Sequence, residues 1–377
     1  MIKIGITGQA GFLGSHLYNY LGIKKDEVER IYFQDDYFQN EEKLKTFVKS
    51  CDVIVHLAAM NRHADHNVIY NTNIDLVKKL ITALEYTNSC PHIIFSSSTQ
   101  EEKDNLYGKS KREGREMLAE WAKKHNTSFT GLIIPNIFGP FCNPYYNSVI
   151  ATFCHQLTHD EIPKIDIDGQ IKFIYVSEVV EHIYKEIKSK SSCKKALPIV
   201  SSHNVPYTSE NKVSQILSYL NNFKIQYFDK GIIPQLNNSF EVNLFNTFRS
   251  YIDLKKYFPF MLHQNTDTRG SFVEIIKLQT GGQVSCSTTK HGITRGNHFH
   301  IRKIERFAVI KGEALIQLRR IGTDEIFNFT LSGDNPSYVD MPLWFVHNIT
   351  NIGKEELYTI FWINEFFNSD DADTYFE

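Results

Sequence analysis

The sequence predicts two domains of different class, an α/β domain built on a parallel sheet and, after it, an all-β antiparallel barrel. Three observations carry this. Short apolar runs alternate with amphipathic helical stretches from residue 1 to about 185. A glycine-punctuated turn, Gly8-Gln9-Ala10-Gly11-Phe12-Leu13-Gly14, joins the first apolar run to the first helical stretch. Beyond about residue 252, short runs of β-branched and aromatic residues recur with turn residues between them.

In the first domain, Ile2 to Ile6 reads as a strand, Phe12 to Leu21 as a helix, Arg30 to Phe33 as a strand and Glu41 to Val48 as a helix. Val53 to Ala58 is strand-like. Asn71 to Glu85 is a long helix with Leu76, Leu80 and Leu84 on one face. His92 to Ser96, the helix Lys109 to Lys124 and the strand Ser128 to Ile134 continue the alternation, which predicts helices on both faces of the sheet. Residues 190 to 250 are polar and less regular, with a helical pattern only at Ile216 to Leu220. In the second domain the strands expected are Ser271 to Lys277, Gln283 to Ser287, Phe307 to Val309, Ala314 to Leu318, Ile326 to Phe329, Ser337 to Val339 and Leu357 to Trp362. The boundary falls near residue 252, giving domains 1–252 and 253–377.

Composition narrows the function classes. Hydrophobic residues make up 42% of the 377, enough for a core in each half, and the formal net charge is −2. That balance favours neither nucleic acid nor an anionic membrane surface. Six scattered cysteines with no CxxC pair suit a reducing compartment. The first residues read as a strand and no 18-residue apolar segment occurs, so a cytoplasmic protein without a membrane span is expected.

The chemistry-bearing motifs follow the same division. Gly8, Gly11 and Gly14 let the backbone turn tightly, approach a pyrophosphate and pack a helix close, with the anion on the helix N-terminus. Phe33-Gln34-Asp35-Asp36 follows the second strand, and an acidic residue there would bond a ribose 2′-OH; Arg62 could approach the same cofactor, so NADH and NADPH both stand. Tyr107 and Lys111 are one helical turn apart, where an ammonium can lower the phenol's pKa and fit it to give a proton to a carbonyl. Phe95-Ser96-Ser97-Ser98 ends a strand and offers hydroxyls to the same oxygen.

With the glycine loop, the Ser run and the Tyr/Lys pair together, the first domain resembles the extended short-chain dehydrogenases/reductases, with a Rossmann-like parallel sheet. The resemblance implies Tyr107 as acid/base, Lys111 as its partner and Ser98 as third member, with Ser97 as the other choice. It implies cofactor contacts from Gly8, Gly11, Phe12, Leu13, Gly14, Asp35, Leu57, Ala58 and Lys111. It also places Asn136, in Ile134-Pro135-Asn136-Ile137-Phe138-Gly139-Pro140, and Asn147 beside the substrate. Phe173-Ile174-Tyr175-Val176 matches its late strand. Two departures mark a specialised branch: the interval from the Ser run to Tyr107 is short, and Ser177 stands where many members have Asp.

In the second domain His298, His300 and Glu305 fall between Gly292 and Gly312, and Pro342, His347 and Asn351 follow. His298 and His300 two apart on a strand would share a face, and three imidazoles with one carboxylate suit zinc or another divalent metal. This resembles the cupin superfamily, a jelly-roll barrel, with Trp344 in place of a usual Gly. Asp267-Thr268-Arg269-Gly270-Ser271-Phe272-Val273-Glu274 is similar to a segment of cupin-type nucleotide-sugar epimerases, which implies that Arg269 and Glu274 hold the nucleotide part. In those enzymes the first His is a base, so His298 stands as ligand or base.

Taken over the whole chain, the order of motifs resembles the bifunctional enzymes of capsular polysaccharide biosynthesis that fuse the two modules. Asn143 to Cys154 and Asp373-Thr374-Tyr375-Phe376 strengthen the match. The resemblance implies a UDP-2-acetamido-2,6-dideoxy-4-hexulose substrate, C3 epimerisation by the cupin, NAD(P)H-dependent C4 reduction, and a UDP-N-acetyl-6-deoxy-L-talosamine-type product on the way to N-acetyl-L-fucosamine. It also implies a homodimer, the commonest symmetric assembly. Two other readings stand beside it: a reductase whose cupin serves only dimerisation or substrate capture, and a non-catalytic redox or sugar sensor.

Overall fold

A computed structural model describes residues 1–191 and 198–377. Cys193 lies outside them; among the described residues Cys51, Cys90, Cys142, Cys154 and Cys286 form no disulfide. By contacts the chain divides into two compact units. The first comprises Met1–Phe138, Cys142–Val149 and Gly169–Lys212, the second Gly139–Phe141, Ile150–Asp168 and Val213–Glu377. The second unit thus takes in residues on the N-terminal side of 252.

The first unit holds a six-stranded parallel sheet in the order Val28–Ile31, Ile2–Thr7, Val53–His56, His92–Ser98, Phe129–Ile134, Val200–Asn204. Its central strands are apolar on both faces because helices cover both. Ile54, Ile93, Phe95 and Phe129 join one core with Leu80 and Leu84 of the helix His66–Thr87 and Leu118 of the helix Leu106–Lys124. Their neighbours Val53, Val55, Ile94 and Leu132 join the opposite core with Leu17 and Leu21 of the helix Phe12–Ile23 and Ile183 of the helix Val176–Ser191. The strand expected at Arg30 to Phe33 ends at Ile31, and Phe33 instead packs its ring edge-on to Phe38 and tilted against Phe47. The chain order reverses at Ile2–Thr7, whose two neighbours are the second and third strands. That switch point opens a crevice at the carboxyl ends of the strands.

In the second unit two five-stranded antiparallel sheets share one core. One runs Phe260–Met261, Ser337–Met341, Glu305–Lys311, Leu357–Ile363, Gln283–Thr289; the other runs Ile326–Ser332, Glu313–Arg320, Phe345–Asn351, Thr294–Phe299, Tyr375–Phe376. Val309, Val339 and Leu357 from the first meet Ile316, Leu318 and Ile349 from the second. The segment expected as a strand over Ser271 to Lys277 is ladder-paired only through Val273, in a hairpin of Gln264–Asp267 with Gly270–Val273. The polar stretch before residue 250 is more regular than its composition suggests. It forms the helices Val213–Phe223 and Ser239–Arg249, the latter capped by the Asn238 side chain accepting from Glu241 N. Among the described residues no helix is long and apolar enough to cross a membrane.

Candidate active site and candidate metal centre

The first strand delivers the glycine loop to the switch point. Gly8 has φ +71°, and a Cβ there would sit 2.8 Å from the Ala58 backbone. A Cβ on Gly14 would sit 2.1 Å from the Gly8 carbonyl oxygen, so the helix can start against the loop only without a side chain there. Thr7 Oγ1 and His56 Nδ1, 2.7 Å apart, tie the ends of two adjacent strands. Burial holds His56 neutral, its pKa lowered to about 3, with Lys111 adding to the effect. The sequence reading passed over this pair because a buried His beside a strand end gives no spacing signal.

Beyond the loop lies a cleft of about 920 Å³. Gly8, Gly11, Phe12, Leu13 and Gly14 form one wall, with Asp35, Leu57 and Ala58 beside them. Ser98, Tyr107 and Lys111 form another, and Asn136 and Asn147 a third. Every residue assigned to the reductase from sequence therefore lines a single cleft. Arg62 does not: its guanidinium Nη1 donates to the carbonyls of Tyr145 and Tyr146, the latter at 2.8 Å. It braces the segment before Asn147, whose Tyr145 has φ 59°. The Asn136 amide donates to the Lys172 carbonyl at 3.3 Å.

Asn105 caps the helix that carries Tyr107 and Lys111, its Oδ1 accepting from Gly108 N at 2.7 Å. Gly108 is required there, because a Cβ would fall 1.9 Å from the Gln100 carbonyl oxygen. Lys111 is 3% exposed, with its Nζ 4.5 Å from the centre of the Phe95 ring. Burial lowers its ammonium to about 8, partly opposed by Glu101. The Tyr107 phenol moves the other way from the expectation. Burial pushes it up to about 12, with Tyr146 adding to the effect. At neutral pH the phenol keeps its proton, the state a proton donor to a carbonyl needs.

The choice between the two serines has a physical basis. Ser97 donates its hydroxyl to Glu101, whose carboxylate is held by Arg115 at 2.7 and 2.9 Å. Ser98 Oγ accepts from Gln100 N at 3.2 Å, which leaves its hydrogen to offer to a ligand. Lys111 also sets a pH limit. Its charge is present below about pH 8 and is lost as the pH rises through that value. Reductase kcat/KM, which reports the free enzyme, is expected to fall on the alkaline side with an apparent pKa near 8. A profile flat to pH 10 would count against a charged Lys111 in the reaction.

The second cluster is in the C-terminal unit. One ligand atom from each of His298, His300, Glu305 and His347 lies within 4.8 Å of all the others. His298 is on the strand Thr294–Phe299, but His300 is one residue past it, and a register shift between Gly296 and His298 turns the strand. Gly296 and Asn297 have φ of 104° and 61°, and this bulge rather than plain strand alternation brings the two rings together. Glu305 opens the strand Glu305–Lys311 of the other sheet, and His347 is the third residue of Phe345–Asn351, which pairs with the His298 strand. His300 Nδ1 bonds the Asp373 carbonyl and His347 Nδ1 the Phe345 carbonyl at 3.2 Å. A carbonyl only accepts, so both Nδ1 atoms carry a proton, and in the neutral rings that a metal binds both Nε2 atoms present lone pairs.

Those Nε2 atoms lie 3.0 and 3.3 Å from Glu305 Oε2, and all three atoms are buried without a hydrogen-bond partner. Burial opposes ionisation of Glu305, but the two imidazoles hold its carboxyl far below its ordinary value. Burial also opposes protonation of His300, yet Glu305 raises it above the ordinary imidazole value. Converging lone pairs around one small space are the donor set of a divalent cation, so these residues fit a metal. Arg269 and Glu274 lie elsewhere. Arg269, on the exposed hairpin, pairs with Asp267 at 2.6 Å, and Glu274 pairs with Lys277 at 2.5 Å.

Comparison with known proteins adds context to both sites. Residues 4–196 match the NAD dependent epimerase/dehydratase family, and residues 265–375 match the polysaccharide biosynthesis C-terminal domain. A UDP-2-acetamido-2,6-beta-L-arabino-hexul-4-ose reductase of Pseudomonas aeruginosa is 29% identical over 375 residues, covering 99% of this chain and 98% of that one. The crystal structure of the capsular polysaccharide assembling protein CapF from Staphylococcus aureus is similar over 100% of this chain and 99% of its own, with 34% identity and a TM-score of 0.62. A structure of CapF with the inhibitor 3-isopropenyl-tropolone is 32% identical over the same shares, with a TM-score of 0.58.

Proposed function

The chain belongs to the NAD-dependent epimerase/dehydratase family and is of the CapF type, and from that premise we propose that it is a bifunctional nucleotide-sugar enzyme. It takes a UDP-2-acetamido-2,6-dideoxy-4-hexulose, inverts C3 in the C-terminal unit, a metal-binding cupin, and reduces C4 in the N-terminal unit. The product is a UDP-N-acetyl-6-deoxy-L-talosamine-type sugar, and the enzyme works as a homodimer. The observation that carries the reductase half is the single cleft in which the glycine loop, Tyr107, Lys111 and Ser98 converge. The printed activity of the Pseudomonas relative supports the substrate class. The functional boundary we keep near residue 252.

In the reductase, NAD(P)H when bound supplies a hydride to C4. The Gly8–Gly14 loop and Asp35 orient it, Ser98 donates a hydrogen bond to the C4 oxygen, and Tyr107 delivers the proton that turns this oxygen into a hydroxyl. Lys111 is the positive charge that stabilises the phenolate left behind. In the C-terminal unit the C4 ketone acidifies the C3 proton. His298, lowered to about 4 by burial and by the two neighbouring imidazoles, is neutral at pH 7 and able to accept a proton. His300, Glu305 and His347 would hold a divalent cation, with His298 as fourth ligand or as base, and the cation would supply positive charge to the site.

The test is NADH and NADPH oxidation with a UDP-4-keto-6-deoxy-N-acetylhexosamine in D2O, with the product analysed by NMR. Cofactor turnover with deuterium at C3 and a new C4 hydroxyl is expected. Turnover without C3 deuterium would reduce the C-terminal unit to a supporting role, and no turnover with either cofactor would sink the substrate assignment.

A further inference from the structure

The four-residue cluster leaves one feature unexplained: the density of bonds that the segment 371–377 makes to the two segments carrying His298 and His300. Tyr375–Phe376 pairs antiparallel with Phe299 and His298, and the Phe376 ring lies 5.8 Å from the His298 ring. Asp373 is 4% exposed and holds φ 44°, a left-handed conformation that a non-glycine residue keeps only where its surroundings impose it. Its carboxylate accepts from three successive backbone N–H groups, those of Ile301, Arg302 and Lys303, at 3.2, 3.0 and 2.9 Å. Its carbonyl accepts from His300 Nδ1. Next to it, the Ala372 carbonyl accepts from the buried Lys303 ammonium, and Asp371 Oδ1 accepts from Arg302 at 2.8 Å.

These bonds have one common effect. The turn after His300 is not in a strand, so nothing in the sheet ladder fixes the imidazole's direction. The Asp373 carboxylate fixes the turn, and the Asp373 carbonyl fixes the ring and its tautomer. With Nδ1 committed as donor, the neutral ring turns its Nε2 lone pair toward Glu305 and His347. The left-handed backbone at Asp373 is what lets one residue present carboxylate and carbonyl to the same turn.

We propose that Asp373 is a positioning residue for the cation site, orienting His300 as a ligand from a segment 73 positions away in sequence; this rests on the reading of the His/Glu cluster as a metal centre. The experiment uses the full chain with Asp373→Ala and Asp373→Asn beside wild type. Zinc affinity is measured by competition with a chromophoric chelator, and the His300 tautomer in metal-free protein by long-range 1H–15N NMR. Asp373→Ala is expected to weaken zinc binding by about 10- to 100-fold and to convert a fixed Nδ1–H tautomer into a mixture. Asp373→Asn, which keeps one acceptor oxygen, is expected to fall between. NADPH binding at the other unit, followed by fluorescence, is expected to be unchanged, and the dispersed NMR spectrum of the variants reports that the mutated unit folds. Wild-type affinity and tautomer in both variants would overturn the proposal. Failure of the wild-type protein to bind zinc or another divalent ion would instead overturn the metal reading beneath it. If Asp373→Ala does not fold, Asp373→Asn decides: unchanged affinity and an unchanged tautomer in it also overturn the proposal.

Discussion

Replacing Tyr107 with Phe is expected to lower kcat for NAD(P)H oxidation by about 10²- to 10⁴-fold, the usual contribution of a positioned proton donor. The substitution keeps the ring and removes only the hydroxyl. Gly108, next in the chain, lets the helix lie against the Gln100 carbonyl, so the backbone that carries the ring is set without the hydroxyl. Binding of the nicotinamide cofactor is therefore expected to stay near wild type by fluorescence titration. Solvent deuterium should still enter C3, because that exchange belongs to the other unit. A variant that keeps kcat within tenfold of wild type would remove Tyr107 from the reaction. Loss of reduction and of exchange together would show that the two activities are not independent.

The second large effect is expected at Glu305. It is the one carboxylate among three imidazoles, 3.0 and 3.3 Å from two of their nitrogens. Glu305→Gln keeps the volume and removes the charge that offsets a cation. Structural zinc sites bind with about 10–16 kcal/mol from four ligands, so one ligand is worth roughly 3 kcal/mol, and zinc affinity should fall by about 100-fold or more. Metal content after dialysis and chelator competition check this. Retention of stoichiometric zinc at wild-type affinity would mean that the cation, if any, is held elsewhere. Reduction by the N-terminal unit of an already epimerised substrate should be unaffected.

The parts of this protein legible in its sequence are those where local pattern and tertiary need coincide. Val53, Ile54 and Val55 point alternately into two cores, so the strand had to be apolar throughout and could be read as a buried parallel strand. The glycine loop was legible because Gly8 and Gly14 have no room for a side chain, and that constraint shows as fixed spacing. The HxH pair was legible as a pair, but not the means by which it converges, since the bulge at Gly296 and Asn297 depends on backbone dihedrals. The helix Ser239–Arg249 was missed although Leu244, Phe245 and Phe248 are buried, because the polar residues between them hide a short apolar stripe. Asp373 and the Glu101–Arg115 pair act through long-range bonds, across 73 and 14 positions, and nothing in local spacing announces them. The phenol of Tyr107, expected lowered, is raised because burial dominates and Tyr146 adds to it.

The order in which the chain lays down its cleft has a consequence for how the molecule is made. The walls from Gly8, Asp35, Leu57 and Ala58 come from strands that are neighbours in the sheet and lie within the first 58 residues. Their pairings close short loops, so they are the contacts a growing chain can form earliest. Tyr107 follows on the next strand–helix unit, and Asn136 and Asn147 arrive later still. A growing chain can therefore pair the strands behind the glycine loop before Asn136 and Asn147, which complete the cleft, have been made.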